Sequence, residues 1–301
     1  MNINKLYEQF IIDSKSRDIH QLSDITYKNR MDTFQLFLKM TGIDSAYNLN
    51  TDLMRRFIKK GIDERNWKNS TVRSHLYKLS PFFKWLQEQG YIAQNYIEDL
   101  GKLPSVSAKM PDYYTEEEVD HIFAAIDIEF SKKFTRLRNR VMVAVLLTTG
   151  IRKGELLGMK MADIDMQHGF IHIQPENAKN RAYRAVQISP SLRRRLVEYF
   201  DERECMGAKT QNIWISENGY RLTKDGFQHV VNRLSKRLGY RFKPHKCRHT
   251  FSINFYRGSK DILALQKVLG HKKLETVMIY TMALDDDVRK SIEMNPLNHL
   301  I

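Results

Sequence analysis

The sequence predicts a mainly α-helical protein in two parts: a helical first domain, and a mostly helical second domain carrying one small antiparallel sheet. Three observations carry this reading. Apolar residues recur at helical spacing through most of the 301-residue chain. Only two short segments, "GFIHIQ" and "RAVQIS", read as strands, joined through "PENAKNRAY". Between the two parts lies "GKLPSVSAKMPDYY", residues 101–114, with two prolines, small polar residues and no periodicity, which is the composition of a linker. The domains are accordingly set at 1–103 and 114–301, with 104–113 connecting them.

Taken in order, "ITYKNRMDTFQLFLKMTG" places Ile25, Met31, Phe34, Phe37, Leu38 and Met40 near helical spacing, and Gly42 supplies a stop. "NLNTDLMRRFIKKG" offers Asn50 or Thr51 as N-cap and Gly61 as terminator. "NSTVRSHLYKLSPFFKWLQEQG" runs from a Ser70 or Thr71 cap to Gly90, with Val72, Leu76, Leu79, Phe83 and Leu86 on one face. Pro81 is expected to kink this helix or split it in two. "TEEEVDHIF" has the capping-box pattern, Thr115 with Glu118 three residues on. "RNRVMVAVLLTTG" reads as a buried helix ending at Gly150. After the two strands, "PSLRRRLVEYFDERE", "TKDGFQHVVNRLSKRLG", "HKCRHTFSINFYRG" and "KDILALQKVLG" return to helix.

Composition narrows the function. Lys and Arg exceed Asp and Glu by 14, with +5 carried by residues 1–110 and +9 by the remainder. An excess spread over both parts favours a polyanionic partner, because Lys and Arg displace condensed counterions from phosphates; a solvated basic surface is the plainer alternative. No run of about 18 apolar residues occurs, which argues against a membrane span. The first residues, "MNINKLYEQFIIDSKSRD", lack a secretory pattern, and the two cysteines, Cys205 and Cys247, build no disulfide framework, so a reducing cytoplasm is the expected location.

Four places in the second domain hold polar groups that packing alone does not need. In "TTGIRKGELLG", Arg152 follows a buried helix and can offer its fork to a phosphate, with Glu155 placed to hold it; in isolation R-x-x-E reads better as a local ion pair. In "KPHKCRHTF", a helix opened by Pro244 puts His245 and Arg248 on one face and His249 one turn beyond His245. His245, Cys247, His249 and His271 also form a conceivable zinc set, against which stand the adjacent Arg248 and the lack of a paired-cysteine motif. His271 follows Gly270 at a helix C-terminus, where the dipole favours a protonated ring. Nine residues later Tyr280 closes "VMIYT", three positions from Val277, a spacing that also suits simple packing. Together these groups form a set able to break a phosphodiester without a metal. Arginines neutralise charge on the phosphate, imidazoles move protons, and a phenol among cations becomes a nucleophile.

The order Arg152 in "TGIRKGEL", His245-x-x-Arg248 in "HKCRHTF", His271 in "LGH" and Tyr280 nine residues on resembles the tyrosine recombinases, the phage-integrase and Xer group. The resemblance spans nearly the whole chain. "STVRSHLYKLSPFFKWLQEQGYIAQN" is similar to that family's core-DNA-binding (SAM-like) helices, which begin near residue 2 and suggest no further arm-binding domain. The resemblance implies a site-specific recombinase in which Tyr280 attacks a DNA phosphate and leaves a 3′-phosphotyrosyl link, with no cofactor, ATP or metal. Arg152 and Arg248 would bind the scissile phosphate, His245 would serve in acid-base work, His271 would hydrogen-bond the phosphate, and Glu155 would support Arg152. Lys179, in the hairpin "ENAKNRAYRAV", matches the family's leaving-group acid, although Ala178 and Asn180 replace its usual flanking glycines. As an exposed turn lysine it would instead contact the DNA backbone. The implied partners are double-stranded DNA carrying paired sites and other copies of the chain in a synaptic tetramer. Ile292, Met294, Leu297, Leu300 and Ile301 make an apolar C-terminal segment that docks on a neighbour or packs back on its own domain. A type IB topoisomerase and a DNA-binding regulator without catalysis are the alternative readings.

Overall fold

The structure, a computed structural model, describes residues 1–17, 22–103, 105, 110–178, 182–271 and 273–281. Lys179 and the apolar segment beyond residue 281 lie outside the described residues. The chain divides into two compact units, Met1–Ser107 and Ala108–Ile301.

The first unit is built on α1 (Ile3–Arg17), α2 (Asp24–Thr41), α3 (Thr51–Arg65) and α4 (Asn69–Glu88). Tyr7, Phe10, Phe34, Phe82 and Trp85 interlock as one aromatic cluster at its centre. α2 stops at Gly42, whose φ of 70° gives the left-handed cap that the sequence leads one to expect. For α3 the cap is Asn50, its side chain accepting from the Leu53 amide.

Three expectations are corrected in this unit: the Gly61 stop, the Ser70 or Thr71 cap, and a split of the helix at Pro81. α3 does not end at Gly61 but runs to Arg65, where Asn66 takes the left-handed cap. Gly61 is instead a point of close approach, since a Cβ there would lie 2.1 Å from the Trp67 ring. α4 is capped at Lys68, with Ser70 and Thr71 inside the helix, and it continues through Pro81. The missing hydrogen bond and ring clash cost about 3 kcal/mol. Burial of Leu76 and Leu79 before the proline and of Phe82, Phe83, Trp85 and Leu86 after it offsets that cost, at roughly 1.5–3 kcal/mol per large apolar side chain.

The second unit opens with α5 (Glu116–Glu129), where both bonds of the Thr115–Glu118 capping box form. There follow α6 (Lys133–Thr149), α7 (Lys153–Gly158), β1 (Ile164–Asp165), β2 (Phe170–Ile173), β3 (Arg184–Gln187), α8 (Pro190–Cys205), α9 (Lys224–Leu238), α10 (Pro244–Ser259), α11 (Ile262–Leu269) and α12 (Glu275–Met278). The sheet is antiparallel in the order β1-β2-β3, with Ile171 opposite Val186. Its first strand, two residues long, is too short to announce itself by alternation. Among the described residues no helix is long and apolar enough to cross a membrane.

Three helix ends position the polar residues of this unit. Gly150 turns the chain out of α6 at φ 63°, and a Cβ there would meet Phe251 of α10 at 2.3 Å, so α6 and α10 pack closely only because this residue is glycine. Pro244 occupies the first turn of α10, where its missing N–H has no consequence. Gly270 ends α11 at φ 65° and hands the chain to His271.

Candidate active site

Arg152 is the N-cap residue of α7, and Glu155 folds back on it: the carboxylate accepts from the Arg152 amide at 2.7 Å and from its Nη1 at 2.9 Å. The local ion pair and the fork-holding role are therefore one arrangement. Glu155 is only 1% exposed, and it does more than the spacing suggested. Arg184 of β3 lays its own fork across the same carboxylate, Nη1 to Oε1 at 3.0 Å and Nη2 to Oε2 at 2.7 Å, while its Nε donates to the Val268 carbonyl at 3.0 Å. Burial alone would raise the Glu155 carboxyl; the hydrogen bonds and charge of Arg184, then of Arg152, outweigh it and hold the pKa below the usual range. Through Arg184 the strand that follows the Lys179 hairpin is tied to α7 and to the end of α11.

Arg248 lies beneath this group, 2% exposed. Nη1 donates to the Gly150 carbonyl at 2.5 Å; Nη2 donates to the Leu269 carbonyl at 2.9 Å and faces His271 Nε2 at 2.8 Å. Burial and the nearby Arg152 pull its pKa down to about 9, with Glu155 acting the other way, so it stays charged at neutral pH. Three guanidinium groups thus crowd one carboxylate. Such a site is short of negative charge, and a phosphate would supply it.

His271 departs from expectation. Thr276 donates its single hydroxyl proton to the Lys273 carbonyl, so at 2.7 Å it accepts from His271 Nδ1–H, leaving Nε2 as the unprotonated atom facing Arg248. Burial, then Arg248, Arg152 and Arg184, lower its pKa to about 4. Desolvation and three cations outweigh the dipole of the short α11, and the ring is neutral rather than protonated.

His245 is exposed, and its ring meets that of His249 edge-on with centroids 4.5 Å apart. His249 in turn faces the Tyr280 hydroxyl through Nδ1 at 3.0 Å, and burial, then His245 and Arg248, lower its pKa to about 4. Tyr280 is 2% exposed, packed with Ile253, Leu265, Leu269 and Val277, yet its phenol is within electrostatic reach of Arg248. Packing and chemistry are compatible here.

The zinc set does not assemble. Cys247 is fully buried with its thiol pushed up to about 12 by burial, and among the described residues no group of three or more His, Cys, Asp or Glu is arranged to hold a metal. Lys246 is occupied by Asp112 at 3.0 Å and Glu118 at 3.3 Å.

The structure therefore brings Arg152, Glu155, His245, Arg248, His271 and Tyr280 into one connected cluster, with Lys179 outside the described residues. Sequence reasoning missed two members. Arg184 had a signal: strand alternation puts it on the buried face with Val186, and a buried cation calls for an acid. His249 had none for this role, since its partner is 31 residues away.

The two histidines give the site an acid-sensitive stability. Each has a folded pKa near 4 against 6.5 for a free ring, so the unfolded chain binds more protons between those values. Their contribution is complete above about pH 6.5 and is lost as pH falls through 4. Thermal melts across that window are expected to show a falling Tm, and a smaller fall in the His249→Asn/His271→Asn double variant.

Residues 112–286 match the model of the phage integrase family. Among curated relatives, the tyrosine recombinase XerC of Oceanobacillus iheyensis is 28% identical over 274 residues, covering 88% of this chain and 87% of the relative. Among solved structures, XerH site-specific recombinase bound to a palindromic difH substrate in a post-cleavage complex has a TM-score of 0.69 at 24% identity, covering 89% of this chain and 78% of that one. A lambda integrase dimer bound to a COC′ core site has a TM-score of 0.72 at 20% identity, covering 93% and 95%.

Proposed function

The chain belongs to the phage integrase family, the tyrosine recombinases, which are site-specific DNA strand transferases, and from that premise we propose its reaction. The Tyr280 oxygen attacks a DNA phosphate, the bond to the 5′ oxygen breaks, and a 3′-phosphotyrosyl link and a free 5′-hydroxyl result. A 5′-hydroxyl from a partner duplex then reverses the step. The phosphotyrosine conserves the bond energy, so neither ATP nor a metal is needed.

The observation that carries this reading is the surplus of guanidinium over carboxylate beside a phenol of the same chain. Arg152 and Arg248 bind the non-bridging oxygens and the charge that develops on them. Glu155 keeps the Arg152 fork in place, and Lys179 protonates the leaving 5′ oxygen. Exposed His245 serves in proton exchange. An arriving phosphate takes over the donor that Arg248 now directs at His271, raises that ring's proton affinity, and lets Nε2 donate to the phosphate. Because Tyr280 is 2% exposed, binding must also open a path between its hydroxyl and the DNA.

The first unit, basic and helical, grips the duplex, and four copies pair two sites for integration and excision of a mobile element or for replicon resolution. A supercoiled plasmid carrying two copies of the DNA flanking the gene, incubated with protein in EDTA, tests this. Recombinant circles are expected. Relaxed topoisomers without recombinants would instead favour the topoisomerase reading.

A further inference from the structure

Cleavage by a tyrosine requires the phenol to lose its proton, and in this chain the phenol is buried. Resting on the reading of Tyr280 as nucleophile, we infer that His249 is its proton acceptor, a further catalytic residue of the cleavage step. The geometry is direct: Nδ1 stands 3.0 Å from the Tyr280 hydroxyl, on the helix turn that also presents Arg248. The ring is neutral, because burial and its cationic neighbours disfavour the charged form, and in the tautomer with its proton on Nε2 the Nδ1 lone pair accepts from the phenolic hydroxyl. Its basicity is low in the free protein, and it takes the proton only as the phenol oxygen bonds to phosphorus.

The balance closes. The phenolic O–H breaks and an Nδ1–H bond forms; the oxygen bonds to phosphorus as the bond to the 5′ oxygen breaks, and that oxygen receives its proton from a separate acid. The imidazolium then returns to neutrality by losing its Nε2 proton, and its ring meets the exposed His245 ring edge-on, centroids 4.5 Å apart. In the reverse step His249 returns a proton to the departing phenolate.

The test is single-turnover formation of covalent adduct at saturating DNA, using a nicked duplex of flanking DNA whose short 5′-hydroxyl fragment diffuses away. His249→Phe is expected to slow adduct formation by about 100-fold, within the usual range for general-base loss, while DNA affinity stays unchanged. His249→Asn, which offers an acceptor oxygen near Nδ1 but cannot take a proton, is expected to be about as slow. Difluorotyrosine incorporated at position 280, a more acidic phenol, is expected to recover most of the loss in His249→Phe, which a merely spatial role would not allow. Wild-type rates in His249→Phe, full rescue by His249→Asn, or no rescue by the fluorinated phenol would each overturn the assignment. Absence of adduct in the wild type would sink the reading of Tyr280 itself, a distinguishable result.

Discussion

Arg248→Lys is expected to lower single-turnover strand cleavage by about 10²–10³-fold, the usual cost of removing one preorganised donor from a transition-state oxyanion. Charge is retained in this variant, so the loss measures geometry. The guanidinium reaches the Gly150 carbonyl, the Leu269 carbonyl and His271 Nε2 from one planar group, which a lysine ammonium cannot do. Each buried carbonyl left without a donor costs about 1–3 kcal/mol, so the melting temperature is expected to fall as well. Cleavage measured well below the variant's own melting point separates the two effects. Wild-type cleavage in Arg248→Lys would remove this residue from the phosphate-binding role.

Glu155→Ala is expected to cost about 3–5 kcal/mol of stability, because it leaves Arg184, 9% exposed, as a buried cation without its carboxylate. Chemical denaturation reads this directly. The pair Glu155→Leu with Arg184→Met removes both charges and is expected to regain most of the stability but not the cleavage rate, since Arg152 has then lost the carboxylate that fixes its fork. Equal recovery of both would make Glu155 a packing residue alone. Because the Glu155 carboxyl is held below the ordinary range, its contribution persists through mildly acid pH and is lost as pH falls through that lowered value.

Local rules carried much of the fold. The Thr115 capping box, the left-handed Gly42, and the strands around "PENAKNRAY" depend on neighbours within a few residues, and spacing exposes them. Gly61 failed as a stop signal because its purpose is contact with the Trp67 ring, and Pro81 failed as a breaker because the apolar face of α4 holds both halves to the core. At the site, the order of Arg152, His245, Arg248, His271 and Tyr280 was legible as a set of residue types. The links that make it one site were not: Arg184 across Glu155, Thr276 fixing the His271 tautomer, and His249 on the Tyr280 hydroxyl all join separate elements. The protonation of His271 was misjudged for the same reason. A helix dipole can be read from sequence, whereas three arginines converging from different elements cannot.

Every step of the proposed reaction depends on the Tyr280 oxygen joining protein to DNA. The decisive measurement is a covalent trap: wild-type protein and Tyr280→Phe, each incubated with flanking DNA in EDTA without ATP, quenched in detergent and resolved for protein-linked DNA. A 3′-linked adduct in the wild type and none in Tyr280→Phe is the expected result. An adduct that survives Tyr280→Phe, or none in a wild type that binds the same DNA tightly, would contradict it.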